Sequence, residues 1–361
     1  MKRTLQISLS CAVGLALVWL LFRGTNWSEV KASVEGVSVR WLLASQIFIW
    51  GSFFTRVQRW SYIVRVAKPV RFRIMFSATQ IGFLANFTLP LRVGEFLRAF
   101  LLARLGHLSF AKSVAMVALD RVTDLVGLIA VMLVAVLSVP TTHDMVLPAQ
   151  TFNTAADIRV SAQALQAAGI VTLLLLVGII AILILLYLNQ ALVLRAADRT
   201  VGVVSNKMAG RIHAMLEQFA EGLHIFRSVT DMSKSIFYSL LTWACFVLAT
   251  ITILAAFHME CPWYTPFVIQ ALVAVSVSVP GAPGFVGQFH LPIVVSLLML
   301  APAVDVDEAK AVAIVIHLLN LGPVALAGLF CLAIEHLGIL ELRREAAAPE
   351  AYLDAEGKRN S

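Results

Sequence analysis

Charge is scarce in this sequence: 14% of its 361 residues are Asp, Glu, Lys or Arg, while 60% are hydrophobic. A soluble domain carries about a quarter charged residues and roughly half apolar ones, so an ordinary water-soluble enzyme or binding module is excluded. Cysteine is scarce as well. Cys11, Cys245, Cys261 and Cys331 are scattered along the chain and match neither a zinc-ligand spacing nor a disulfide framework, so they read as packing residues. No Gly-x-x-x-x-Gly-Lys loop, His-Glu-x-x-His, Cys-x-x-Cys or Gly-x-Ser-x-Gly occurs. Their absence removes P-loop ATP hydrolysis, zincin chemistry, a thiol redox pair and a serine nucleophile elbow. Neither a metal nor a cofactor is expected.

What the sequence has in quantity is long apolar runs, and its mean hydropathy is +0.86. Runs of about 20 apolar residues match the ~30 Å hydrocarbon thickness of a bilayer. The expected fold is an all-α polytopic membrane protein with about six full transmembrane helices and two helical hairpins broken by Pro and Gly. A net charge of +7 would suggest nucleic acid in a soluble protein. Here the bases sit in short loops between spans, the pattern of inward-facing loops in membrane proteins, so no nucleic-acid partner is expected.

Lys2 and Arg3 precede a first span at Leu5–Phe22. Arg23-Gly24-Thr25-Asn26-Trp27 then lacks a small-x-small cleavage site, so this span reads as an uncleaved helix. Trp27 to Trp41 places apolar residues three or four apart, as in a helix lying in the interface. A second span, Trp41–Phe54, leads into Arg56, Arg59, Arg65, Lys68, Arg71 and Arg73, six bases with no acid among them. That cluster predicts a cytoplasmic loop. The arms Ile74–Leu89 and Val93–Leu105 follow, then a span at Val114–Val139, a polar outer loop at 140–168 and a return at Gly169–Asn189. The basic stretch 190–234 keeps Met208, Ile212, Met215, Phe219, Leu223 and Phe226 at helical spacing, which predicts an amphipathic helix on the inner surface. A span at Ser235–Phe257 leads to a second pair of arms, Tyr264–Pro280 and Phe285–Ala301. Asp305, Asp307 and Glu308 fall outside, and Ala309–Ile334 returns to a tail carrying Arg343 and Arg344. The transmembrane domain is expected over 1–340, with 341–361 a disordered cytoplasmic tail and both termini on the cytoplasmic side of an inner membrane.

The two arm pairs repeat. Pro90-Leu-Arg92-Val-Gly94-Glu95-Phe lies against Pro283-Gly284-Phe-Val-Gly287-Gln288-Phe, and the topology inserts the second pair in the opposite sense. Related segments in opposite orientation, each with a Gly/Pro break, point to a binding site between inverted repeats. Pro90, Gly94, Pro280, Pro283, Gly284 and Gly287 are the breaks. The half-helices after them would aim their positive ends at the junction, a seat for phosphate. Two ordinary pairs of spans with turns at the surface would give the same loop sidedness. The first arms favour re-entry, because 16 residues at ~1.5 Å reach only about 24 Å.

Charges at membrane depth are costly and mark polar pathways. Arg92 and Arg98 are candidate headgroup ligands, since a guanidinium binds two phosphate oxygens at once. Glu95 would pair with an Arg or a cationic headgroup. Its alternative is an ion pair with Arg98, three residues on. Asp120 and Asp124 share a helix face and would partner the arginines, relay protons, or hold the hairpin in an inter-helix salt bridge. Gln288 and His290 are candidate headgroup ligands, with plain hydrogen-bonded packing as the alternative; His317 and Asn320 are candidate interhelical hydrogen-bonders. Three functions fit these residues: translocation of a polar lipid between leaflets, an intramembrane enzyme working on a lipid phosphate with Arg92, Asp120 and Asp124, and a non-transporting partner that positions a lipid or glycolipid synthase.

Asn86-Phe-Thr-Leu-Pro90-Leu-Arg92-Val-Gly94-Glu95-Phe-Leu-Arg98, Leu119-Asp120-Arg121-Val-Thr-Asp124, and Pro280-Gly-Ala-Pro283-Gly284-Phe-Val-Gly287-Gln-Phe-His290, with Arg59-Trp60, resemble signatures of the lysylphosphatidylglycerol synthase transmembrane-region family, also called flippase-like domain proteins. The similarity runs from about residue 5 to 340. In the founding multiple peptide resistance factors a soluble domain transfers an aminoacyl group to phosphatidylglycerol and the membrane region flips the product. About 27 residues follow Ile334 here, too few for such a domain, so the resemblance implies lipid translocation without synthase activity. The lipid it implies is an anionic or aminoacylated phospholipid, or a hopanoid or glycolipid as in similar stand-alone members.

Overall fold

A backbone at membrane depth must satisfy its own polar groups, and helices do so within one segment. The computed structural model describes residues 12, 14–89, 92–140, 142, 144–202, 229–279 and 282–336, and it is almost wholly helical. Cys11, Pro90, Pro280, the stretch from Met208 to Phe226 and the tail beyond 340 lie outside the described residues. The helices are α1 (14–22), α2 (Trp27–Glu35), α3 (Val39–Val64), α4 (Phe72–Thr88), α5 (Val93–Gly106), α6 (Phe110–Ser138), α7 (Ala162–Leu188), α8 (Gln190–Gly202), α9 (Val229–Ala256), α10 (Thr265–Ser278), α11 (His290–Leu300) and α12 (Val306–Ile334). The chain is an all-α polytopic membrane protein.

Helices α6, α7, α9 and α12 and the stretch Pro283–Leu300 are long and apolar enough to cross a membrane, and α3 joins them when counted with α2 across an 86° bend. Length misleads for Pro283–Leu300. Gly284, Phe285 and Gly287 have φ of 73°, 53° and 84°, so a 3₁₀ turn and a loop fill the first part and α-helix begins only at His290. The arm expected from Phe285 thus starts five residues later, and its 11 residues reach about 16 Å. The arms α4, α5 and α10 hold 17, 14 and 14 residues, about 21–26 Å each. All four fall short of a ~30 Å hydrocarbon core.

The hairpins enter from opposite ends of α12. At the base of the first, Ser77 Oγ donates to Glu335 at 2.9 Å and Arg73 pairs with it at 3.4 Å, just past the C-terminus of α12. The base of the second lies beside the other end: α11 stops at Leu300, a short turn before α12 begins at Val306, and packs along the N-terminal part of α12. Their tips meet at the centre: the Phe87 and Phe285 rings lie 5.4 Å apart, the Phe87 ring lies 6.4 Å from that of His317, and His317 Nε2 reaches the Gly284 carbonyl. Asn320 is the midpoint of the 29-residue α12. Each hairpin has its own apolar core. Trp60, Met75, Ile81 and Leu101 lie at the first; Ile269, Ile293, Leu297 and Ile316 lie at the second.

A further expectation from sequence is corrected. The second span does not end at Phe54: α3 runs to Val64, and Arg56 and Arg59 lie within it rather than in a cytoplasmic loop. Arg59 is fully buried because acids from α6 neutralise it there. The segment between α6 and α7 carries a short two-stranded sheet. Met145–Leu147 (β1) and Ile158–Val160 (β2) pair antiparallel, with Met145 opposite Val160. Helix α7 lies at the periphery and shows Leu174, Leu175 and Leu188 to its surroundings, the apolar coat expected of a lipid-facing helix. Within α12, Pro323 cannot donate to the Leu319 carbonyl, and Gln46 Nε2 of α3 reaches that oxygen at 3.5 Å.

Candidate functional site

At the first tip the chain turns through Arg92, held in the left-handed region at φ 53°, ψ 37° as the residue before α5. That helix end has no side-chain cap of its own, so its first N–H groups need outside acceptors. Asn86, near the end of α4, supplies one: its Oδ1 accepts from Gly94 N–H at 2.8 Å. Its amide in turn donates to Glu95 at 3.4 Å. The arms approach so closely that a Cβ on Gly94 would collide with the Gly82 carbonyl oxygen.

The second tip repeats the device. Gln288 Nε2 donates to the carbonyls of Val279 and Ser276, each at 3.2 Å. Glu95 to Asn86 and Gln288 to Val279 span the same nine residues, so one polar side chain per repeat ties the returning arm to the end of the incoming one. His290 and His317 fasten this tip further. Gly287 N–H donates to His290 Nδ1 at 3.3 Å, the two rings meet Nε2 to Nδ1 at 3.2 Å, and His317 Nε2 reaches the Gly284 carbonyl at 2.8 Å. All three bonds agree with each ring carrying its proton on Nε2. Arg92 joins the tips, donating from its guanidinium to the Val277 carbonyl in the last turn of α10, where a cation meets the negative end of the helix dipole.

Next to the tips runs a chain of six alternating charges. Arg98 pairs with Asp120 at 2.7 Å, Asp120 with Arg59 at 2.9 Å, Arg59 with Asp124, Asp124 with Arg121 at 3.8 Å, and Arg121 with Glu95. Three arginines and three carboxylates sum to zero, so the chain stitches α3, α5 and α6 together with no net charge. Neutralisation is what makes burial of Arg59, Arg98 and Asp120 tolerable. Arg98 also lies 3.7 Å from the Trp60 ring, a desolvated cation–π contact worth about 2 kcal/mol. Trp243 Nε1 donates to Asp124 at 3.2 Å.

Between the tips and this chain is a cavity of about 570 Å³, inside the ~300–1,000 Å³ range of small-molecule sites. Its charged lining is Arg56, Arg92, Arg121, Glu95 and Asp124, and aromatic rings, including Phe87, Trp243 and Phe285, supply much of the rest. Ile179 of α7 and Ser278 of α10 line it and are themselves exposed, so the cavity reaches the perimeter of the bundle.

The residues expected from sequence divide accordingly. Arg92, Glu95 and Asp124 line the cavity; Arg98, Asp120, Gln288 and His290 do not. Arg98 and Asp120 are 1% and 0% exposed within the ion-pair chain, and Gln288 and His290 hold the second tip closed. Arg56 and Arg121 are cavity residues that sequence reasoning passed over. The signal for Arg56 was the apolar spacing of Val57, Trp60, Ile63 and Val64, which carries the helix well past it.

No individual curated protein matches this chain. A family model of the lysylphosphatidylglycerol synthase TM region matches residues 7–328, which takes in both hairpins, all six paired charges and every cavity residue, and the chain therefore belongs to the lysylphosphatidylglycerol synthase TM region family.

Proposed function

We propose that the protein moves a polar-headed lipid, a phospholipid or a related molecule, between the leaflets of a cell inner membrane, with both of its termini in the cytoplasm. One observation carries this reading: two hairpins from opposite faces meet at mid-bundle beside a charged cavity that reaches the perimeter. A headgroup is costly to bring to membrane depth without polar partners. The cavity supplies guanidinium donors there, and its open side leaves acyl chains among the lipid-facing helices. The family name, which mentions a lipid synthase, agrees with lipid as the cargo. Chemical change of the lipid is not part of the proposal.

Reconstituted vesicles test it. Fluorescent phosphatidylglycerol placed in both leaflets is quenched from outside, and the fraction that becomes accessible is followed in time. The full chain is expected to expose the inner-leaflet pool unchanged in chemistry, and Arg92→Ala to reduce the rate at least tenfold while remaining folded and inserted. A rate equal to that of protein-free vesicles, or a covalently altered lipid, would remove the proposal.

A further inference from the structure

We infer that the cavity is an anion site, and that its cargo carries phosphate oxygens and no ammonium group; the inference rests on the lipid-moving reading and names its substrate class. The six-membered chain consumes every carboxylate at the site. Glu95 is held by Arg121 and Asn86, and Asp124 by Arg59, Arg121 and Trp243. No acid lining the cavity is left to receive an ammonium headgroup.

Two cations stand outside that balance. Arg56 forms no ion pair among the described residues, and its buried Nε has no hydrogen-bond partner. Its guanidinium lies 4.7 Å from the Phe83 ring and 5.1 Å from the Phe246 ring. With aromatic rings beside the guanidinium, its N–H donors remain for a ligand, and phosphate oxygens match that fork. Among the described residues, Arg92 has a backbone carbonyl as its one polar partner, and its Nε is unbonded. Counted with the ion-pair chain, the five arginines and three carboxylates at the site leave an excess of two positive charges. A lysylated phosphatidylglycerol, net positive, would meet uncompensated arginines; an unmodified anionic phospholipid neutralises one of them.

The test is a headgroup competition. The full chain in detergent is incubated with equal amounts of phosphatidylglycerol, phosphatidylethanolamine and lysylphosphatidylglycerol, and the lipid retained through gel filtration is quantified by mass spectrometry. Phosphatidylglycerol is expected to be enriched about tenfold over each of the others, the size of one charge-assisted hydrogen bond. Arg56→Gln is expected to abolish most of that enrichment at unchanged thermal stability, and Arg92→Gln to act in the same direction. Equal retention of the three, or a preference for the lysylated lipid, overturns the inference. Selective retention without movement in vesicles would defeat the transport reading and leave the anion site standing. Equal movement of all three headgroups would defeat the anion site and leave transport standing.

Discussion

Asp120 separates the structural charges from the cavity charges. It accepts from Arg59 and Arg98 at 2.9 and 2.7 Å and is fully buried. Replacing it with Ala leaves the buried Arg98 guanidinium without its ion-pair partner and Arg59 with Asp124 alone, and breaking such a buried pair costs about 3–5 kcal/mol. Asp120→Ala is expected to lose most of its folded yield and to melt well below the parent in a detergent thermal shift. An unchanged melting temperature would show that the chain of charges does not hold α3, α5 and α6 together. The cavity arginines behave differently, because Arg56 and Arg92 are not members of the chain. Their loss is expected to touch ligand retention far more than melting. The same contrast explains what was legible at this scale. Arg92, Glu95 and Asp124 stood out as charges inside apolar runs. Arg59 did not, because six bases without an acid between Arg56 and Arg73 look like a solvated loop, and the acids that neutralise Arg59 follow 61 and 65 residues later.

At the scale of elements, the first hairpin depends on close approach of α4 and α5. Gly94→Ala sets a methyl group against the Gly82 carbonyl and Asn86, and overpacking of this kind costs roughly 1–3 kcal/mol. It is expected to lower the melting temperature and impair movement of lipid. Gly178→Ala, on the open face of α7 with nothing within 4 Å, is expected to change neither, and a comparable loss in both variants would refute the packing argument. Arm boundaries were legible in the first hairpin to within two residues, because Pro90 and the polar Arg92 interrupt two clear helical runs. In the second, Phe285, Val286 and Phe289 read as continuing helix by hydropathy. Phe285 and its neighbours Gly284 and Gly287 take positive φ instead, a backbone demand set by closure of the tip through Gln288 and His290, which apolar spacing does not encode.

For the whole molecule, the repeat of Pro-x-x-Val-Gly-[Glu/Gln]-Phe anticipated two related hairpins, and the matched Asn86–Glu95 and Val279–Gln288 ties are its physical content. Sequence could not show that the tips touch, since Phe87 and Phe285 are far apart in the chain and pair only through the packing of both hairpins on α12. The central claim, oppositely inserted hairpins whose tips meet, is tested most directly by site-directed labelling in sealed vesicles. With the four native cysteines replaced, one cysteine is placed at the exposed His107, at the base of the first hairpin, or at the exposed Glu260, before the second. A membrane-impermeant maleimide is expected to reach His107→Cys from one side only and Glu260→Cys from the other, while a Phe87→Cys, Phe285→Cys double variant joins through a short bifunctional reagent. Labelling of both bases from the same side, with no bridge between the tips, would contradict it.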